Sequence, residues 1–156
     1  MAHSLRYEFD QKFNFPAQEV FKWCTDYEAG DLGLMGDEGK RSIEKISKDA
    51  IILNDAYYIG KKIVRRKKIV NLYPDTLSWV STHLIGDRKY SQFLYRISAE
   101  GNSKSSLHFT GLQIEYDDRK NKSASSVSKR LQKNDSHAWQ LLAKEMEKDM
   151  KVHAQK

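Results

Sequence analysis

From Leu5 to Phe15 the odd positions are Leu5, Tyr7, Phe9, Gln11, Phe13 and Phe15, and the even ones are Arg6, Glu8, Asp10, Lys12 and Asn14. Only Gln11 departs from a period of two, so the segment is a strand with one buried and one wet face. Pro16 then supplies the preset φ of a first helical turn, and Val20, Phe21 and Cys24 form the buried stripe of a short helix. Gly30, Gly33, Gly36 and Gly39 punctuate residues 29–40, a loop with room for one helical turn. Strands are predicted at Arg41–Ser47, Ala50–Tyr58, Lys61–Leu72, Leu77–Ile85, Tyr90–Ser98 and Lys104–Tyr116, making seven with the first. The polar stretch Asp117–Ser128 reads as a connection. Trp139, Leu142, Ala143, Met146 and Met150 then recur at helical spacing. Val127, Leu131 and Ala138 extend that stripe backwards, so the last helix starts near Ser128 or only at Ser136.

The pattern describes an α+β domain spanning residues 1–156, with a sheet around a long C-terminal helix. At this length one core buries roughly 70% of the surface that the unfolded chain exposes. Charged residues make up 31% and aromatic residues 11%, and no apolar stretch approaches the ~20 residues needed to span a bilayer. The first residues lack the apolar core of a secretory signal, and the single cysteine forms no internal disulfide, so a cytoplasmic protein is expected. Cys24 shares a helical face with Val20 and Tyr27 and reads as a buried, inert thiol.

Candidate chemistry begins with Lys61-Lys62-Ile63-Val64-Arg65-Arg66-Lys67-Lys68-Ile69-Val70, where a strand must send charge to both faces. If Tyr73–Thr76 forms a four-residue hairpin loop, Leu72 faces Leu77, Val70 faces Trp79, Lys68 faces Ser81, Arg66 faces His83 and Val64 faces Ile85. That face is the more apolar one and is assigned inward. Arg66, Lys68, Ser81 and His83 then form a polar patch between apolar ends, suited to a carboxylate or phosphate head group. The competing reading is a bulged or wet strand end that leaves Arg65, Arg66, Lys67 and Lys68 all in solvent. A three-residue turn at Asp87–Lys89 would set Phe93 beside His83, Tyr95 beside Ser81 and Ile97 beside Trp79, with Leu107 and Phe109 on the next strand. Tyr7, Trp79, Phe93, Tyr95, Phe109 and Trp139 are either core or the aromatic wall of a pocket.

Strand order, Pro-led first helix and Trp-bearing last helix are carried by Phe13-Asn14-Phe15-Pro16-Ala17-Gln18-Glu19-Val20-Phe21-Lys22-Trp23-Cys24-Thr25-Asp26-Tyr27, by Ser103-Lys104-Ser105-Ser106-Leu107-His108-Phe109 and by the helix around Trp139. In these features the chain resembles the START-like, birch-pollen-allergen-like superfamily, which includes polyketide cyclases and dehydrases. The resemblance implies a helix-grip fold: a curved seven-stranded antiparallel sheet wrapped round the C-terminal helix, with a short helix after the first strand. It also implies a cavity for lipids, polyketides or other hydrophobic molecules, and it leaves the chemistry open.

Three functions compete. The first is a carrier or sensor binding an apolar or amphipathic small molecule, anionic if the cationic patch meets it, at Tyr7, Arg66, Lys68, Trp79, Ser81, His83, Phe93, Tyr95, Phe109 and Trp139. The second is a polyketide cyclase/dehydrase-like enzyme with His83 as general base, although no carboxylate at an informative spacing orients that residue. The third uses the cations of residues 61–68 and Arg119, Lys120, Lys122, Lys129, Arg130 and Lys133 to bind nucleic acid or an acidic protein. The net charge of +6 permits this, but no nucleic-acid reading motif accompanies it. No metal or cofactor is expected, because no His pairs with Cys or His at ligand spacing and Gly39-Lys40-Arg41-Ser42 does not complete a phosphate loop.

Overall fold

The computed structural model describes residues 2–116 and 122–154. Residues 117–121 of the connection expected at Asp117–Ser128, Arg119 and Lys120 among them, lie outside the described residues, and its residues 124–128 belong to the last helix. Seven strands form one antiparallel sheet: β1 (His3–Phe13), β2 (Gly39–Ser47), β3 (Ala50–Ile59), β4 (Lys62–Tyr73), β5 (Ser78–Ile85), β6 (Gln92–Glu100) and β7 (Lys104–Glu115). Their spatial order is β1-β7-β6-β5-β4-β3-β2, so the connection after β1 crosses from one edge of the sheet to the other, β1 pairs with β7, and β2 to β7 are successive hairpin neighbours. Between β1 and β2 lie α1 (Ala17–Thr25) and the single turn α2 (Asp31–Leu34), and the chain closes on α3 (Ala124–Ala154). This is the helix-grip architecture that the alternation and the last amphipathic stripe imply.

Local chemistry accounts for the boundaries. Pro16 sits just before α1, at φ −58° and ψ 145°, so it caps the helix and Ala17 begins it. The turn Pro74–Thr76 is a short 3-10 segment, followed by Leu77 in the left-handed region. Because that loop takes Leu77 as well, Leu72 pairs with Trp79, Val70 with Ser81 and Lys68 with His83. Each pairing is two residues away from the register expected from a four-residue loop. A slip of two preserves the faces, so the inward assignment survives. The same happens across the next hairpin, where Tyr95 pairs with Trp79 and Phe93 with Ser81.

Lys68 pairs with His83 while Lys67 pairs with Ile85, so β5 carries one extra residue opposite β4 at this point. The bulge turns Ile85 outward, where it is 54% exposed and not inward as the sequence register has it. α3 starts at Ala124, earlier than either expected start. The Ser123 hydroxyl accepts the Ser126 N–H at 3.1 Å, which caps the first turn.

Two apolar clusters hold α3 in the sheet. One joins Phe13, Val20, Phe21, Leu53, Val70, Trp79, Leu107 and Met146, with Trp139 and Ala143 packed against it. The other joins Leu5, Tyr7, Phe93, Phe109, Val127 and Leu131. Tyr7 of β1 faces Gly111 of β7, and a Cβ built on Gly111 would lie 2.5 Å from the Tyr7 ring. Glycine therefore gives the ring its seat, and the Tyr7 hydroxyl donates to the Asp135 carboxylate on α3. Gly111→Ala should displace the ring and destabilise the fold by about 1–3 kcal/mol, read as a lower urea midpoint. An unchanged midpoint would remove this packing argument.

Candidate functional site

Between the two apolar clusters α3 and the sheet leave a cavity of about 140 Å³. Phe93, Tyr95, Phe109 and Trp139 supply its aromatic wall, and Ser81, His83, Lys68, Arg66, Arg88 and Asp135 its polar one. Lys68, Ser81, Tyr95 and Trp139 also line an adjoining, deeper space of about 270 Å³, which runs under α1 to Trp23, Tyr27 and Met150. On the other side Tyr57, Arg66, Arg88 and Asp135 are shared with an open mouth of about 870 Å³ between α3, the α2–β2 loop and the β3–β4 hairpin. The three spaces adjoin one another through these shared residues, and the 270 Å³ one also reaches the exposed Asp26, Glu28 and Asp149.

Of the ten residues expected at the site, eight line the inner cavity: Arg66, Lys68, Ser81, His83, Phe93, Tyr95, Phe109 and Trp139. Trp79 lies one step deeper, stacked on Tyr95 with ring centroids 4.7 Å apart, and lines the deeper space. Tyr7 lines none of the three and acts through Asp135, which it hydrogen-bonds and which does line the cavity. Tyr57, Asp37, Arg88 and Asp135 escaped the sequence reading. Tyr57 had a usable signal, since it continues the buried alternation of Ile51, Leu53 and Asp55 along β3.

The cations do turn inward. The side chains of Arg66 and Lys68 are only 14% and 13% exposed, while Arg65 faces solvent. Neither inward cation is free, however. Arg66 donates to both oxygens of Asp87 at 2.7 and 2.9 Å and lies 4.6 Å over the Tyr57 ring. Lys68 reaches Asp55 at 3.0 Å, and Asp55 is itself held by Arg41 through two bonds of 2.7 and 2.9 Å. Burial pushes the Asp55 carboxyl up, but the Arg41 hydrogen bond and the Lys68 and Arg41 charges outweigh it and hold its pKa below the usual carboxylate range. The Tyr57 hydroxyl adds a bond of 3.2 Å to the same carboxylate.

His83 is 3% exposed, lies edge-on to Phe93, and its Nδ1 has no hydrogen-bond partner. Burial first, and the charges of Lys68, Arg88 and Arg66 second, push its pKa down to about 2. It is a neutral imidazole across the physiological range. No Tyr or acid hydrogen-bonds it, so the arrangement that would orient a general base is lacking among the described residues.

Other titratable groups are structural. Cys24 is half-buried against the core, and burial pushes its thiol pKa up. His108 lies on the outer face and pairs with Asp10 at 2.8 Å. Among the described residues no group of three His, Cys, Asp or Glu could hold a metal ion, and no helix is long and apolar enough to cross a membrane.

Solved structures of very different sequence share this architecture. The Zhui aromatase/cyclase from a Streptomyces species matches with a TM-score of 0.76 at 13% identity, over 95% of this chain and 96% of that one. A START superfamily protein from Mycobacterium smegmatis matches with a TM-score of 0.72 at 15% identity, over 92% and 97%. Norcoclaurine synthase from Thalictrum flavum, in complex with dopamine and hydroxybenzaldehyde, matches with a TM-score of 0.71 at 9% identity, over 94% and 88%. At these identities the likeness establishes the START-like helix-grip fold and nothing about chemistry. No protein-family model matches the sequence, and no curated protein does.

Two outcomes follow from the charges. Asp55→Asn leaves Arg41 and Lys68 buried without their carboxylate and should lower stability at neutral pH by about 3–5 kcal/mol in urea unfolding. The folded pKa of Asp55 is depressed, so its contribution is complete above the unfolded value of about 3.9 and lost as pH falls through the lower folded value. His83 acts in the same direction at higher pH. The unfolded chain takes up a proton below pH about 6.5 that the folded chain refuses, so stability should fall on acidification by about 1.4 kcal/mol per pH unit from this group. His83→Gln should flatten that slope between pH 6 and 5, and an unchanged slope would mean that His83 protonates in the folded protein.

Proposed function

We propose that this START-like helix-grip protein is a carrier or sensor that holds an apolar or amphipathic small molecule between the sheet and α3. One observation carries the reading: the interior is not filled, and the unfilled part is walled by Phe93, Tyr95, Phe109 and Trp139 with a few polar groups at one side. Such a mixture is what small-molecule sites use, apolar area for affinity and sparse polar contacts for orientation. The internal pairing of Arg66 with Asp87 and of Lys68 with Asp55 removes the free cationic patch that would have called for an anion. A neutral molecule with a hydroxyl or carbonyl group fits the polar side, which offers Ser81 and the uncharged His83.

The catalytic reading draws on the aromatase/cyclase and the norcoclaurine synthase among the structures of similar fold. Against it stands His83. A base whose conjugate acid has a pKa of about 2 removes protons weakly near neutrality, and no partner orients the ring. Binding without turnover is the reading that these groups support.

Native mass spectrometry of the protein isolated from its own host should show a species heavier than the 18.2 kDa chain, which releases a small molecule on denaturation. In vitro, the neutral fluorophore N-phenylnaphthylamine should bind, and Ala138→Trp, which projects a large ring from α3 into the cavity, should weaken it at least about tenfold. A bare chain together with probe affinity indifferent to Ala138→Trp would refute an interior site.

A further inference from the structure

One end of the sheet collects exposed apolar side chains. Strand registers place the β3–β4 tip, the end of β5, the β5–β6 turn and the end of β7 at the same end. Among the described residues eleven large apolar side chains are exposed, and six of them, Tyr58, Ile59, Ile63, Ile85, Tyr90 and Tyr116, lie here. The foremost are Ile59 and Ile63, 57% and 58% exposed, on either side of the Gly60 turn. β4 runs five residues past the point where β5 stops pairing with it, and β2 pairs with β3 only as far as Tyr57, so the turn from Ile59 to Lys62 projects beyond both neighbouring strands.

Charge accompanies them. Lys61, Lys62 and Arg65 are exposed in the same hairpin and have no ion-pair partner among the described residues, unlike Arg66 and Lys68 one layer inward. Lys89 lies 4.8 Å over the Tyr90 ring in the neighbouring turn, and Lys133 of α3 stands across the mouth. Asp37, Glu38 and Asp135 are the acidic groups lining the mouth, and Glu38 lies beside the base of the tip, where its carbonyl accepts the Tyr58 N–H at 2.9 Å; the hairpin itself carries Lys61, Lys62 and Arg65. Aliphatic tips, tyrosines and unpaired lysines on one projecting edge make the composition that enters a lipid interface: the apolar groups reach the acyl boundary and the cations stay at the phosphates. Nucleic acid would use the lysines and tyrosines but would leave Ile59 and Ile63 in water.

We propose that this end of the protein docks on an anionic lipid surface through the β3–β4 tip, with the β5–β6 turn as a second foot, so that the cavity mouth opens toward the bilayer. Docking stands on the exposed tip alone; only its consequence, loading of the cavity from the lipid phase, rests on the binding function proposed above.

The test is flotation of the full chain with phosphatidylcholine vesicles, with and without about 30% phosphatidylserine, alongside N-phenylnaphthylamine binding in solution. Binding should require phosphatidylserine and weaken as salt is raised. Lys61→Glu/Lys62→Glu should reduce vesicle affinity at least about twentyfold, since each lysine near an anionic surface contributes about fivefold. Ile63→Asp should reduce it about tenfold or more, while circular dichroism and probe binding of both variants stay at wild-type values. Vesicle binding without probe binding would support the docking and remove the interior site. Probe binding with no vesicle binding, or vesicle binding that survives both variants, would overturn the docking alone. Salt-sensitive binding to single-stranded oligonucleotides in place of vesicles would overturn it in favour of nucleic acid.

Discussion

The architecture hangs on one buried carboxylate. Asp55 has no solvent exposure on its side chain, sits on the concave face of β3, and is gripped by Arg41 from β2 and Lys68 from β4. Arg41 also reaches Asp31 at the start of α2, at 3.5 Å, so the same charge ties three strands to the loop that covers them. Buried ion pairs stabilise little compared with apolar packing, but breaking one is expensive, and that asymmetry makes them good at fixing alignment. Slipping β3 by two residues against either neighbour would leave a charge alone in the interior. The polar wall of the cavity is positioned by this constraint, and the aromatic wall by the two apolar clusters on α3.

The result is an interior with a charged frame and an uncharged centre. Lys68 and Arg66 face the cavity with their charges already answered by Asp55 and Asp87, and His83 is kept neutral by burial first and by these cations second. Tyr7 and Asp135 do similar work at the other wall: a ring seated on Gly111 holds an α3 carboxylate, which Arg88 approaches at 3.9 Å. Arg66, Lys68, Arg88 and Asp135 each have a charged partner on another element, which leaves the space between them to a molecule of low polarity.

Sequence alternation was enough to find seven strands, their inner faces and eight of the fourteen residues that line the inner cavity. It failed where geometry depends on turns. The Tyr73-Pro74-Asp75-Thr76 signal marks a hairpin but does not say that Leu77 joins the loop in a left-handed conformation, and that one residue moves every pairing of β4 with β5. The bulge near Lys67 follows no local pattern either, and it sends Ile85 outward. Pairing of the cations was hidden because Asp55 and Asp87 are distant from Arg66 and Lys68 along the chain. A clue did exist: Asp55 occupies an inward position in the alternation Ile51, Leu53, Asp55, Tyr57, and an acid on an apolar face needs a partner.

Trp23, Trp79 and Trp139 are the three tryptophans of the chain, and all three line the deeper of the two interior spaces. Trp79 and Trp139 are further coupled, with ring centroids 6.3 Å apart and Tyr95 beside both. Excited beyond the tyrosine absorption band, the protein emits from tryptophan alone, and so entirely from the walls of one chamber. Whatever enters it must alter the polarity around those rings or quench them, so the molecule carries its own optical gauge of occupancy, with no label and no background from elsewhere in the chain.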